Sequence, residues 1–251
     1  MKAIKFPVAV TFSLAVSCLA STAFAQTVSC GAPTTTQLPQ FNTSPSTWTV
    51  AGPIGPQPNR TTPPAATPPA GNTALVATTP IDVPPGTAGD PDGYRWDPAL
   101  TWVGLTADGR TGGTANYFYF KQTVTLDPLA DPAQFSMSYD VSVDDELWAV
   151  YVNGTMVQGG SGRLLQGFNP TRVNNYRNTQ SLTVALPGSG AWKAGANEVV
   201  FAVYDFGGYS GFASVAKNMS LVCNNVVAAN PETYTVPVTG GATTPVVTND
   251  T

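Results

Sequence analysis

The chain has no histidine among its 251 residues, and only 10% of its residues are charged. Nucleophilic catalysis of the Ser–His or Cys–His type is therefore excluded, because the general base is missing. A zinc site is excluded as well, since without histidine the few cysteines cannot complete a tetrahedral shell. The glycine-rich run at residues 159–167 lacks both the lysine and the helical context that a phosphate-binding loop needs.

Basic residues are also scarce, with 11 Lys and Arg against 15 Asp and Glu. Two of the basic residues, Lys2 and Lys5, lie in an N-terminal segment that we expect to be removed, which leaves a formal charge of −6. An acidic chain of this kind is a poor partner for nucleic acid or anionic lipid. No later run approaches the roughly 20 apolar residues of a membrane helix, so we expect no membrane span in the mature chain.

The N-terminus has the layout of a secretory signal peptide. Lys2 and Lys5 precede an apolar run from Phe6 to Ala20, and the small-residue pattern Ala23-Phe24-Ala25 follows it. This order predicts that residues 1–25 are a signal peptide cleaved after Ala25, and hence a secreted or cell-surface protein. One alternative is a lipoprotein with its lipid at Cys18, and another is retention in the membrane, for which the run is short.

Two cysteines, Cys30 and Cys223, remain after such a cleavage. An oxidising compartment would let them pair and tie the first segment of the domain to its last strand. In the chain-entropy model, closing so long a loop stabilises the fold by about 5 kcal/mol. Two free buried thiols are the alternative.

Glycine and proline are abundant, with 24 and 23 residues, and they separate short β-rich runs. Such punctuation is typical of an all-β sandwich or barrel. Proline is densest at residues 51–92, which we interpret as a long extended loop lying on the domain. A disordered tether is the alternative interpretation of this segment.

Clear strand patterns begin at residue 116. In the run NYFYFKQTVTL, Phe118, Phe120, Val124 and Leu126 share one face, and Gln122 is the exception. The next run alternates cleanly and predicts a half-buried strand. Its apolar face holds Phe135, Met137, Tyr139, Val141 and Val143, and its wet face holds Ser136, Ser138, Asp140 and Ser142.

The later runs complete a single domain. The segment LWAVYV at residues 147–152 is apolar on both faces, which predicts a central strand. Further strands are predicted in residues 181–186, 197–206 and 212–223, the last of which points Cys223 inward. About eight strands suit one two-sheet sandwich over residues 26–225, and residues 226–251 are a polar tail that we expect to be flexible.

Three segments resemble the galactose-binding-like jelly-roll domains that accompany glycoside hydrolases and bacterial surface proteins. They are the aromatic strand YFYFKQTVTL, the corner VSVDDELWAVYVNG and the segment WKAGANEVVFAVYDFGGYSGF, and the likeness covers Trp96 to Cys223. The resemblance implies an all-β jelly-roll β-sandwich. The tail at residues 232–251 is similar to the opening strand of the repeat modules of large bacterial surface proteins, so the chain is also interpretable as a shortened member of such a family.

Acidic residues cluster at two places. Asp144, Asp145 and Glu146 are adjacent, which favours a calcium site, half of a glycosidase pair, or a strand corner in which Asp144 caps the turn and the other two are solvated. Asp90, Asp92 and Asp97 are spaced around Gly93, as in a calcium loop or a plain Pro-Asp-Gly turn. Structural calcium is the one cofactor that the sequence suggests.

Carbohydrate binding would need exposed aromatic rings with planar polar groups beside them. Two loops combine these features, RVNNYRN at residues 172–178 and DFGGYSGF at residues 205–212, although aromatic side chains in loops also serve packing. The candidate ligand-binding residues are Tyr94, Trp96, Arg172, Asn174, Asn175, Tyr176, Arg177, Tyr209 and Phe212.

Taken together, the sequence favours an exported, non-catalytic surface or extracellular protein with an interaction or structural role. Carbohydrate recognition is one such role, and its partner would be a glycan or another cell-surface component. The rival hypothesis is a secreted carbohydrate-active hydrolase, or an accessory module derived from one. A hydrolase would show two inward carboxylates lining one cleft.

Overall fold

A computed structural model describes residues 24–53, 64–83, 94–112, 115–160, 162–166, 181–187 and 190–224. Most of the predicted signal peptide and the predicted tail lie outside these ranges. Within them, helical structure is confined to one turn of α-helix, α1 (Thr34–Gln37), and a 3₁₀ turn at Leu38–Phe41. Neither of these helices has the length or the apolar character needed to cross a membrane.

The rest of the regular structure is β-strand, as we predicted from the glycine and proline residues that separate short β-rich runs. The first eight strands are short: β1 (Gln26–Val28), β2 (Trp48–Ala51), β3 (Thr73–Ala74), β4 (Val76–Thr78), β5 (Asp82–Val83), β6 (Tyr94–Arg95), β7 (Trp102–Gly104) and β8 (Arg110–Gly112). The later strands include the long ones: β9 (Asn116–Leu126), β10 (Ser136–Asp144), β11 (Glu146–Val152), β12 (Thr155–Gly159), β13 (Leu165–Gln166), β14 (Ser181–Leu186), β15 (Gly195–Asp205), β16 (Gly208–Tyr209) and β17 (Gly211–Ser220).

Two sheets form the sandwich. The first has the order β12-β11-β15-β9-β2-β3, with β1 beside β9 and β13 beside β11, and the second has the order β14-β10-β17-β7-β4. Two small ribbons, β16-β8 and β5-β6, complete the described strands. The pairing is antiparallel throughout the described residues except for β1 with β9. This arrangement confirms the predicted all-β jelly-roll sandwich.

The core lies between the two sheets and follows the predicted alternation. Val143 of the second sheet and Val203 of the first are both fully buried in the same apolar cluster. The predicted inward faces of β9 and β10 belong to this cluster as well. Its centre is aromatic, with the Phe212 ring stacked on Phe120 and tilted against Trp48, at centroid distances of 4.8 and 5.0 Å.

Gln122 interrupts the apolar face of β9, and its amide group makes hydrogen bonds within the core. It is 1% exposed. Its Nε2 donates to the backbone carbonyl of Phe41 at 3.1 Å, and its Oε1 accepts from the Tyr139 hydroxyl at 2.8 Å. A buried amide satisfied in this way is compatible with an apolar interior.

The face of β10 that we predicted to be exposed to solvent is only partly exposed. Asp140 is half-buried and pairs with Lys217 at 3.1 Å, but Ser142 is buried. The register partner of Ser142 is Ala213, which packs against the indoles of Trp96 and Trp102. A third layer therefore covers this end of the second sheet, which the alternation alone did not predict.

The outer face of the first sheet is buried too, so the prediction of a central strand at residues 147–152 is confirmed. The Tyr119 hydroxyl accepts from the Ala65 amide at 3.1 Å, and the Tyr151 hydroxyl donates to the Ala65 carbonyl at 2.6 Å. Lys121 Nζ donates to the Pro69 carbonyl at 2.8 Å. The described proline-rich residues 64–70 thus lie against an aromatic layer composed of Tyr117, Tyr119, Trp148, Tyr151 and Tyr204.

The predicted disulfide joins Cys30 to Cys223, whose Cα atoms are 5.9 Å apart. The Cys30 amide donates to Asp127 Oδ2 at 3.1 Å, and Cys223 forms a β-bridge with Ala130. Both ends of the disulfide are therefore anchored to the connection that leads from β9 to β10.

Candidate functional site

The acidic corner sits where β10 ends at Asp144 and β11 begins at Glu146, with a cis peptide bond between Asp144 and Asp145. Asp144 is only 3% exposed and Glu146 is fully buried. The expectation of a solvated corner is therefore wrong. Asp144 and Asp145 instead belong to one group of neighbouring carboxyl groups, while Glu146 points to the outer face of the first sheet.

Asp144 alternates with Val143, so its carboxyl group lies on the outer face of the second sheet. Its Oδ2 accepts a hydrogen bond from Trp96 Nε1 at 2.8 Å. The Trp96 ring is stacked on Trp102 at 4.3 Å between centroids and is fully buried. Trp96 thus belongs to the interior, and it does not provide the exposed aromatic surface that the sequence suggests.

Gly211, the register partner of Asp144, lies directly against Trp96. A Cβ atom at this position would overlap the six-membered ring of the indole, which has no free space to move into. We expect Gly211→Ala to lower the free energy of unfolding by about 2 kcal/mol through overpacking. Urea denaturation followed by tryptophan fluorescence measures this loss.

Gly190→Ala is the matched control for this substitution, since a Cβ atom there meets no heavy atom within 4 Å. We expect it to leave the free energy of unfolding almost unchanged. Equal stability of the two variants would contradict a tight contact between Gly211 and Trp96.

Asp145 and Asp205 meet at the other side of the corner. Asp145 Oδ2 accepts from the Phe206 amide at 2.7 Å, while Asp205 accepts from the Gly207 amide at 2.7 Å and from the Thr111 hydroxyl at 2.6 Å. The Asp145 carboxyl group also lies within electrostatic reach of those of Asp144 and Asp205. Like charges that are this close oppose one another, which disfavours full ionisation of the three groups.

Burial raises the pKa of all three groups, which we call the carboxyl cluster. Desolvation raises the pKa of Asp144 to about 7, although hydrogen bonds from Asp145 and Trp96 oppose the shift. Desolvation likewise raises the pKa of Asp205 to about 6 against the hydrogen bond from Thr111. The pKa of Asp145 is raised well above its usual range, by burial and by the adjacent charge of Asp144.

Glu146 is separate from the carboxyl cluster. It lies on the outer face of the first sheet, where its Oε1 pairs with Arg163 Nη1 at 2.8 Å and its Oε2 accepts from Trp148 Nε1 at 2.9 Å. Both oxygens of this buried carboxylate are therefore satisfied by donors of the protein. Its role in the structure is to hold Arg163 and Trp148 in place.

The cluster is a poor fit to a cation. Its oxygens accept hydrogen bonds from the Trp96 indole, from backbone amides and from the Thr111 hydroxyl. Over the described ranges, no group of three or more Asp, Glu, Cys or His side chains is arranged to hold a metal ion. Asp90 and Asp92 lie outside those ranges, so calcium binding there stays a prediction.

An exposed pair of side chains lies next to the cluster. Strands β8 and β16 align Arg110 with Tyr209, and Arg110 Nη2 donates to the Tyr209 hydroxyl at 2.7 Å. The guanidinium carbon is 4.8 Å from the centroid of the tyrosine ring. Tyr209 also packs against the Trp96 and Trp102 indoles, while the Arg110 side chain is largely exposed. We call these two residues the Arg–Tyr pair.

The remaining predicted ligand-binding residues are not brought together in the described residues. Tyr94 pairs with Val83 in the ribbon β5-β6, and Phe212 is fully buried in the core. Phe212 is placed there by strand alternation, so it is not at the surface. The residues of the second predicted loop lie outside the described ranges: Arg172, Asn174, Asn175, Tyr176 and Arg177.

Three residues of the site did not emerge from the sequence: Arg110, Thr111 and Asp205. A signal for Asp205 was present, since it shares its parity with the buried residues Phe201 and Val203. An aspartate that continues an apolar face indicates a buried carboxyl group. Arg110 and Thr111 gave no such signal, because only the pairing of β8 with β16 brings them to the site.

No protein-family model and no curated protein matches this chain. Three solved structures are similar to it at low identity. A family 35 carbohydrate binding module from Clostridium thermocellum has 11% identity and a TM-score of 0.28, with 57% of this chain and 89% of that chain covered. A second family 35 carbohydrate binding module, from an environmental isolate, has 12% identity and a TM-score of 0.27, with 61% and 98% covered.

The third is a beta-glucosidase from Kluyveromyces marxianus in complex with glucose. It has 15% identity and a TM-score of 0.29, and the match covers 62% of this chain but 17% of the glucosidase. At this level of similarity the fold of the protein rests on its own strand order and register.

Proposed function

We propose that this protein is an exported, non-catalytic β-sandwich that binds a carbohydrate through the Arg–Tyr pair. The observation that carries the proposal is an exposed guanidinium group held at 2.7 Å from the hydroxyl of a half-buried tyrosine. An aromatic ring offers apolar area to the face of a sugar ring. The planar donors of arginine can orient sugar hydroxyl groups beside it.

The pair sits on a firm support, as a binding site requires. The neighbouring Thr111 is hydrogen bonded to the buried Asp205, and the Ser210 amide donates to the Gly109 carbonyl at 2.8 Å. Tyr209 packs on the stacked indoles of Trp96 and Trp102. The tyrosine ring is thereby packed on one side and adjoins the exposed arginine side chain on the other.

The carboxyl groups support binding more than hydrolysis. A glycosidase needs two carboxyl groups about 5 to 10 Å apart on either side of a sugar. In the described part of the chain, the carboxyl groups of Asp144, Asp145 and Asp205 lie close together, and each accepts a hydrogen bond from a protein donor. A cluster of this kind differs from two carboxyl groups that face each other across a sugar.

The N-terminal boundary of the fold supports export. Phe24 is 74% exposed, whereas Gln26 is 5% exposed and Val28 is fully buried. The packed domain thus begins where cleavage after Ala25 would leave the new terminus. A disulfide between Cys30 and Cys223 suits an oxidising compartment, in keeping with a secreted or cell-surface location.

A glycan array probed with the exported protein, with and without calcium, tests the proposed function. We expect binding to at least one glycan, and we expect Tyr209→Ala to weaken it about tenfold through loss of the aromatic contact. Tyr209→Phe keeps the ring and removes the hydrogen bond to Arg110, so it should bind more strongly than the alanine variant.

Lys217→Ala is the control for non-specific surface effects, because Lys217 is an exposed cation that pairs with Asp140 on the second sheet. It should bind as the unmodified protein does. An array without signal under both conditions would favour a purely structural role. Undiminished binding by Tyr209→Ala would move the site away from the Arg–Tyr pair.

A further inference from the structure

We infer that Gln26 becomes a cyclic pyroglutamate in the exported protein, so that the mature chain begins with an uncharged lactam. The inference rests on the cleavage after Ala25 that is part of the function proposed above. The modification site lies in the first strand and does not involve the Arg–Tyr pair.

Gln26 opens strand β1 and is the register partner of Val124 in β9. Its side chain is almost fully buried, and its Nε2 donates to the Phe24 carbonyl at 2.6 Å. Its Oε1 is buried and has no hydrogen-bond partner in the described structure. The amide group of Gln26 is therefore held by one contact, which comes from a residue of the predicted signal peptide.

Cleavage after Ala25 removes that contact together with the hydrogen bond from the Phe24 amide to the Ser46 carbonyl. It also creates an α-ammonium group at a residue that is 5% exposed in the uncleaved chain. Placing a charge without a partner beside a packed strand is unfavourable. The new terminus thus has both an unpaired side-chain amide and an unfavourable charge.

Cyclisation removes both problems and needs no co-reactant. The neutral α-amine attacks Cδ of the side-chain amide, the new N–Cδ bond closes a five-membered ring, and the Cδ–Nε2 bond breaks. Nε2 leaves as ammonia with a proton taken from the attacking amine, and no atom changes its oxidation state. An α-amino group titrates near neutral pH, so the reactive neutral form is present. The product keeps one N–H donor and Oε1 and loses the terminal charge.

Mass spectrometry of the N-terminal peptide of the exported, reduced full-length chain tests the inference. We expect a peptide that begins at Gln26 and is lighter by one ammonia molecule, with no reaction in Edman degradation. Gln26→Asn is the matched control, because it keeps an amide group but would have to close a strained four-membered ring. Its N-terminal peptide should keep its full mass and its free amine.

The outcomes separate this inference from the function on which it rests. A peptide that begins at residue 26 with full mass and a free amine, even after prolonged incubation at neutral pH, overturns the inference and leaves export standing. A chain that retains Phe24 and Ala25, or carries lipid at Cys18, overturns the cleavage proposal, and the inference falls with it.

Discussion

Raising the pH from about 4 to about 7 is expected to lower the free energy of unfolding of this domain. Burial raises the pKa of Asp144 to about 7 and that of Asp205 to about 6, so the folded chain keeps protons that the unfolded chain has lost. The stabilisation is complete below the unfolded pKa near 4 and disappears as the pH passes the folded values. The free energy of unfolding falls by up to about 1.4 kcal/mol per pH unit for each proton that the folded chain retains and the unfolded chain has lost.

Urea midpoints at constant ionic strength between these pH values measure the effect. Asp205→Asn removes one titrating group with little change of shape. In this variant the free energy of unfolding should depend less steeply on pH. Asp140→Asn is the control on β10. Partial burial opposes ionisation of Asp140, but hydrogen bonds to Thr183 and Lys217 outweigh it and lower its pKa, so this variant should leave the pH dependence over this interval unchanged. A stability that rises over the same interval would contradict the raised pKa values of the carboxyl cluster.

Reducing the disulfide between Cys30 and Cys223 is expected to lower the free energy of unfolding by about 5 kcal/mol. The two cysteines are 193 positions apart, so the disulfide restricts almost the whole domain in its unfolded state. It also holds the first strand and the end of the last strand against the connection between β9 and β10. Urea denaturation with and without a reductant measures the loss.

The double variant Cys30→Ser/Cys223→Ser provides the control, because its stability should be low and independent of the reductant. Replacing both cysteines at once avoids leaving one thiol free to pair with Cys18 in uncleaved chains. Unchanged unfolding of the unmodified protein under reduction would show that the disulfide does not stabilise the fold.

Strand alternation was the most informative part of the sequence. It placed Phe118, Phe120 and the inward residues of β10 correctly, because alternation depends only on the local backbone of a strand. It also indicated Gln122 as an exception, which is explained by the hydrogen bonds to Phe41 and Tyr139. These partners lie in other elements, so the reason for the exception was not readable from the strand itself.

The acidic corner shows why the site was harder to predict than the core. Whether Asp144 and Asp145 are solvated depends on Trp96 and Phe206, which belong to distant parts of the sequence. A local pattern of three adjacent acids carries no information on what covers them. For the same reason Trp96 and Phe212 were expected at the surface, since their position next to loops did not reveal the layers above them.

The parallel pairing of β1 with β9 affects the order in which the domain can assemble. A chain emerges from the ribosome N-terminus first, so residues 26–28 wait for residues 124–126 before they find a partner in the described sheet. Until then the first strand is an open edge that invites pairing with other chains. Strand β9 in turn pairs with β15, so we expect the sheet around the first strand to be complete only after residues 195–205 have been made, and a chain that ends earlier to expose unpaired strands.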